Sequence, residues 1–177
     1  MKVKDEKRIR QRISIVAKYI KTAIVGDYES YEYIQGYFKK IVIIRAALNI
    51  QDYKPTIPSL HKKIPLIVHA PSDKKFKGTE YILKAICKLK KEYNFRFRLI
   101  HGLNHEDAKK IYEKADIIVD QLFTGAHGVF SIEAMAMGKP VICYIREDLK
   151  KKYPKDLPII SANPDTIYNV LKVLIDF

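Results

Sequence analysis

From Ile64 to the end of the chain, short apolar runs alternate with segments of helical periodicity, and no other feature limits the fold as much. IPLIVHA (64–70), FRFRLIH (95–101), DIIVDQL (116–122), PVICYI (140–145) and LPIIS (157–161) read as buried strands. Between them, Thr79 to Tyr93 reads as a helix with Ile82, Ile86, Leu89 and Tyr93 on one face. Asn104 is placed to cap a second helix, with Glu106 and Asp107 in its first turn and Ala108, Ile111, Tyr112 and Ala115 on its inner face. The last helix opens at NPDT (163–166) and carries the stripe Ile167, Val170, Leu171 and Leu174. Strands joined by helices require crossover connections, so the expected architecture is α/β, a parallel sheet with helices on both faces. Such sheets bind ligands at the carboxyl ends of their strands. That rule selects His69–Lys77, His101–Asn104, Asp120–Gly128 and Tyr144–Glu147.

Residues 1–55 have a different texture. Ile9, Ile13, Val16, Ala17 and Ile20 give one amphipathic helix, and AIVGD (23–27) and KIVII (40–44) are strand candidates with a Tyr-rich stretch between them. A polar segment with Pro55, Pro58, His61, Lys62 and Lys63 follows and reads as a linker over 56–63. The expected division is therefore 1–55, a partial α/β segment; 56–63, the linker; and 64–177, the main domain.

Composition excludes several classes. With 47% hydrophobic and 30% charged residues among 177, the chain is globular rather than disordered. No apolar run is long enough to span a bilayer and no signal-peptide core is present, so a cytoplasmic protein is expected. Cys87 and Cys143 make neither a metal spacing nor a disulfide framework, and both are expected as buried thiols. The net charge of +13 admits a nucleic-acid surface, a membrane-proximal surface or a site for an anionic ligand. It also fits a Lys- and Ile-rich composition with no bearing on partners.

Chemistry concentrates in GAHGVFSIEAMAMGKPVI (125–142). Gly125 and Gly128 permit a tight turn after a strand, a helix starts near Val129, and Gly138 with Pro140 ends it. That helix is apolar nearly all round, as a buried helix must be. Glu133 is the one charged group inside it, so it needs a fixed partner, either a ligand hydroxyl or a structural donor. The backbone N–H groups at the helix start are open to an anion.

The second stretch is HAPSDKKFKGTEY (69–81), which follows the first strand and leads into a helix. Lys74, Lys75 and Lys77 lie in the loop at the ligand edge, Gly78 permits close backbone approach, and Thr79 can cap the helix. Lysines there suit phosphate as point charges. Two anion-ready loops on one sheet edge favour a diphosphate.

HAPSDKKFKGT, LIHGLNHEDAKKIYEKADIIVDQL and the G-x-x-G-V-F-x-x-EAMAMGKPVI block together resemble the family-4-type glycosyltransferases of the GT-B fold, built from two Rossmann-like halves. The resemblance is close over 64 to about 145. It implies the nucleotide-sugar-binding, C-terminal half of a retaining glycosyltransferase, with the nucleotide-sugar as donor substrate and no cofactor or metal. It implies that Lys77 contacts the donor diphosphate and supports the leaving group, that Glu133 holds the ribose, and that Gly128, Val129 and Phe130 face the phosphates and sugar. Gly78, Gly125, His127, Lys74 and Lys75 complete the expected binding set. Where many members carry a sugar-facing Glu this chain has Gly125, and where many carry an arginine before the loop lysine it has Ser72, for which Lys74 or Lys75 can substitute.

Residues 1–50 loosely resemble the end of the acceptor-binding half. The expected partners are therefore a second copy or a chain supplying the rest of that half, and a glycan or lipid-linked acceptor near a membrane. His69 and His127 are candidates near sugar or phosphate; with His101 they give no metal spacing. Asp120 falls at the ligand end of its strand and Asp116 at the structural end. No nucleophile elbow and no G-x-G-x-x-G is present. Three functional readings follow: the donor-binding half of a transferase; a non-catalytic nucleotide-sugar-binding subunit; and a basic nucleic-acid-binding protein, which no recognised motif supports.

Overall fold

The computed structural model describes residues 5–58 and 64–176. His61, Lys62 and Lys63 of the expected linker lie outside the described residues. The chain divides into two compact units, Met1–Ala47 and Leu48–Phe177.

The second unit carries a five-stranded parallel sheet. Its strands are β3 (Leu66–His69), β4 (Arg96–Leu99), β5 (Ile117–Val119), β6 (Val141–Ile142) and β7 (Ile159–Ile160), in the order β4-β3-β5-β6-β7. In register, Ile67 pairs with both Phe97 and Ile117, Ile118 with Val141, and Val141 with Ile159. The helices are α3 (Thr79–Leu89), α4 (His105–Tyr112), α5 (Val129–Ala136), a short α6 (Glu147–Lys150) and α7 (Ile167–Asp176).

Alternation along the strands sorts the core into two layers. Ile67, Ile117, Val119 and Ile142 point to one face, where Ile82, Ile86 and Leu89 of α3 meet Ile167 and Leu171 of α7. Val68, Ile118, Val141 and Cys143 point to the other, against Ala108 and Tyr112 of α4, Ala134 of α5, Met137 and Tyr53. The expected sheet with helices on both faces is thus the observed one. Burial pushes the Cys143 thiol up to about 12, so it is an inert core group. Cys87, expected to be buried, is exposed: it sits on α3 one position beyond Ile86, off the stripe that meets the sheet.

The expected boundary at 55/56 falls inside the second unit. Tyr53 is buried in its core, and residues 55–57 lie against the end of α5. Thr56 N–H donates to Met137 O (2.9 Å), and the buried Lys139 ammonium donates to Thr56 O (2.6 Å) and Glu113 O (2.7 Å). A polar composition suggested a free connector; hydrogen bonding attaches its first part to the domain.

The first unit contains α1 (Glu6–Tyr19), β1 (Thr22–Val25), α2 (Tyr28–Ile34) and β2 (Lys40–Ile43). Its two strands pair in parallel, with α2 as the crossover. The Tyr-rich stretch is this helix, begun by Asp27, whose carboxylate accepts from Ser30 N (2.7 Å) and Ser30 Oγ (2.8 Å). None of its described residues is buried, and on α1 only Ile13 and Ala17 of the expected inner face are even half-buried.

Candidate functional site

The strand order makes β3 the switch strand. The chain leaves β3 for β4 on one side and then crosses back to β5 on the other, opening a crevice between the carboxyl ends of β3 and β5. Two loops meet there: 70–78 after β3, and 120–128 after β5, which leads into α5.

The first loop is a built turn. Asp73 Oδ1 accepts from Phe76 N (2.8 Å), Asp73 O from Lys77 N (2.9 Å) and Lys74 O from Thr79 N (3.0 Å). Gly78 closes it with φ 72, and a Cβ there would lie 3.2 Å from Leu122 Cβ. Its role is therefore backbone shape. The turn directs Lys77 inward and leaves Lys74 and Lys75 exposed. Lys77 O accepts from Leu122 N (3.2 Å), which ties this turn to the loop after β5.

Lys77 Nζ meets Asp120 Oδ1 at 2.5 Å, and Asp120 Oδ2 accepts from Ser131 Oγ at 2.6 Å. Asp120 is 0% exposed. A buried carboxylate requires such partners. Gly128 lies over this pair: a Cβ there would stand 3.7 Å from Asp120 Oδ2 and 3.8 Å from Lys77 Nζ. Gly128 also begins α5, which has no side-chain N-cap bond. The ammonium, the carboxylate and the start of α5 thus share one corner of the crevice.

The loop after β5 is held by Gln121. Its Oε1 accepts from Phe123 N (2.8 Å) and Thr124 N (2.7 Å), while its Nε2 lies within hydrogen-bonding distance of the carbonyls of Thr124, Ala126 and Tyr144. Gly125 is set by packing, since a Cβ would fall 2.6 Å from Arg146 Cβ. A side chain at this position would therefore force Arg146 to move. His127 packs its ring on Tyr153, centroids 5.3 Å apart. Phe130 lies against Tyr112 at 4.7 Å, and Val129 is half exposed.

Glu133 has structural donors. Its Oε1 accepts from Tyr53 OH (2.9 Å) and meets His105 Nε2 at 2.6 Å. Burial, then the hydrogen bond to Glu133, pushes the Tyr53 phenol up to about 12; burial beside the charges of Glu133 and Asp120 does the same to Tyr112.

His69 is not at the ligand edge. It is fully buried, its Nδ1 2.8 Å from Val119 O and its Nε2 2.8 Å from Thr79 Oγ1. A carbonyl can only accept, so Nδ1 carries the proton and Nε2 accepts from the threonine. Desolvation lowers this imidazole to about 4 and keeps it neutral. His69 therefore links β3, β5 and the start of α3. Asp116 accepts from Leu66 N at 2.7 Å and pins the opposite end of the same strands. His101 is exposed.

Sequence reasoning missed Ser131, Tyr53 and His105. Ser131 was detectable, as the other polar position in an apolar helix. Tyr53 carries no local signal, because its partner lies eighty residues away. A hollow of ≈ 510 Å³ elsewhere on the second unit lies between Ile145 and Ser161.

No family model matches the sequence, and no curated protein matches it. Among solved structures, the sucrose-phosphate synthase of Thermosynechococcus elongatus is similar, with a TM-score of 0.71 and 18% sequence identity. The match covers 99% of this chain and 55% of that one. The fold matches a Rossmann-like glycosyltransferase domain. This chain spans about half the length of that enzyme (55%), and at 18% identity the likeness is one of fold. No helix among the described residues is long and apolar enough to cross a membrane.

Proposed function

We propose that residues 48–176 bind a nucleotide-diphosphate sugar and form the donor-binding half of a retaining, family-4-type glycosyltransferase that acts on a glycan or lipid-linked acceptor. The observation that carries this reading is the meeting of Lys77 with the start of α5 over Gly128, at the switch point of the sheet. A diphosphate seated there receives the Lys77 ammonium from one side and the N–H groups of Val129 and Phe130 from the other. When the sugar departs, negative charge grows on the nucleoside diphosphate, and Lys77 stabilises it. Glu133 accepts from the ribose hydroxyls. Tyr53 keeps its carboxylate in place while His105, whose side chain is 60% exposed, turns aside. Lys74 and Lys75 lie on the outer side of the turn and add long-range attraction.

A second reading, a nucleotide-sugar-binding subunit without transfer activity of its own, is favoured by the first unit, which has two strands and no buried described residue. A second copy or a chain supplying further acceptor-half structure covers that unit in either reading. The setting is cytoplasmic, near the membrane when the acceptor is lipid-linked. The test is a thermal-shift screen against a panel of nucleotide-sugars, since a ligand that binds only the native state raises its apparent stability. No shift with any member of the panel, alongside an intact fold, defeats both readings.

A further inference from the structure

Asp120 is the one fully buried carboxylate among the described residues, and it stands directly beneath the proposed diphosphate position. Two donors hold it, Lys77 Nζ at 2.5 Å and Ser131 Oγ at 2.6 Å. Its backbone is fixed as well, Asp120 N donating to Ile142 O at 2.8 Å. It cannot swing away from the crevice when a ligand arrives. Any phosphate that takes the Lys77 ammonium must therefore do so beside a fixed negative charge.

We propose that Asp120 is a positioning residue that acts through Lys77 and sets how strongly the site holds a diphosphate, favouring release of a free diphosphate end over an esterified one. The proposal rests on the donor-site reading. Asp120 keeps the Lys77 side chain extended toward Gly128, so the ammonium is in place before a ligand binds. It also offsets much of that ammonium's charge. A free nucleoside diphosphate carries about one more negative charge at neutral pH than the same diphosphate esterified to a sugar. The buried carboxylate repels the first more than the second. A site built on Lys77 alone would instead retain the product of sugar transfer. Ser131 tunes the effect: its hydroxyl draws charge from Oδ2, so Asp120 competes less strongly for Lys77.

Calorimetric titration of the full chain with inorganic pyrophosphate, whose ends are free, and with symmetric dimethyl diphosphate, esterified at both ends, at fixed ionic strength, tests this without knowledge of base or sugar. Asp120→Asn keeps the shape and removes the charge; pyrophosphate should bind about tenfold tighter, and dimethyl diphosphate, with about one charge less, should gain less. Ser131→Ala should act in the opposite direction, weakening pyrophosphate about threefold. A merely structural role would move both variants the same way. Unchanged or weaker pyrophosphate binding in Asp120→Asn, or an equal gain for both probes, overturns the proposal. If Asp120→Asn does not fold, Ser131→Ala decides, and unchanged or tighter binding in it overturns the proposal. Lys77→Ala separates the two levels. Affinity for pyrophosphate equal to that of the unmodified chain removes the donor-site reading and this inference together. A loss in Lys77→Ala without the gain in Asp120→Asn removes this inference alone.

Discussion

Tyr53 and Glu133 lie eighty positions apart and meet at 2.9 Å, phenol to carboxylate. The bond fastens the opening stretch of the second unit to α5, the helix at the proposed donor site. Glu133→Gln should lower nucleotide affinity by one to two powers of ten, through loss of charge-assisted hydrogen bonds of about 1.5–3 kcal/mol. Tyr53→Phe is the control: it should cost about 1 kcal/mol of folding stability and leave most of the affinity. Calorimetry and urea unfolding separate the two. Unchanged affinity in a folded Glu133→Gln variant leaves the carboxylate a purely structural group.

Lys77→Ala should weaken a nucleoside diphosphate more than the bare nucleoside, because only the former presents charge to the ammonium. Lys74→Ala and Lys75→Ala should have smaller effects, since both side chains are exposed on the outside of the turn. Equal losses for diphosphate and nucleoside would mean that Lys77 acts through the loop.

His69 gives the fold a pH dependence of definite sign. Its folded value of about 4 lies below the unfolded 6.5, so the neutral form is the native one. The stability is complete above pH 6.5 and falls as the pH drops toward 4, because the unfolded chain takes up a proton there that the native chain refuses. Below about pH 4 both states are protonated and this contribution changes no further. The slope across the window is about 1.4 kcal/mol per pH unit for one proton. His69→Asn, which can still donate to Val119 O, should flatten the urea-unfolding stability profile by about that slope. Identical slopes in the two proteins would show that His69 titrates normally.

Gly125→Ala should destabilise the second unit by about 1–3 kcal/mol, as overpacking does when the neighbour is a Cβ and not the tip of a flexible chain. The midpoint of urea unfolding measures it. A neutral substitution would mean that the Arg146 backbone yields.

The 177-residue chain by itself should bind donor and transfer no sugar. Transfer needs two reactants positioned in one cleft. A two-stranded parallel sheet with no buried residue is too small to be stable alone. On α1, Ile15 is 56% and Tyr19 82% exposed, and this apolar surface invites association. Light scattering should find a species heavier than 20.6 kDa, and a transfer assay should read background. Robust transfer by a proven monomer would overturn the expectation.

The strands and the four longer helices of the second unit were legible because burial on both faces makes β3, β5, β6 and β7 short apolar runs, while β4 alternates and one-sided burial puts a stripe on α3, α4 and α7. The corner where Lys77 meets Gly128 was legible in part: the lysine-bearing turn, Gly128 and the start of α5 follow from turn chemistry, and only the family resemblance singled out Lys77 among the three lysines. What escaped was contact across sequence distance. His69 looked like an edge residue because a strand end is an edge in one dimension; in three, Val119 and Thr79 enclose it. Gly125 looked like ligand space because glycine is also what close packing demands, and Arg146 is the neighbour. Glu133 was left between ligand and structural donor, and Tyr53 and His105 supply the donors.

Lys139 has a consequence for dissecting the protein. Its ammonium, 6% exposed as a residue, is satisfied by carbonyls of Thr56 and Glu113 that belong to separate stretches of chain. A fragment started at Leu48 keeps both carbonyls and the Tyr53 phenol. One started at Ile64, where the strand pattern begins, strips a buried cation of one acceptor and a buried carboxylate of one donor at a stroke. Such losses cost several kcal/mol, a large part of what holds a domain of this size together. A piece meant to fold should therefore include Tyr53 and Thr56 and not begin at Ile64.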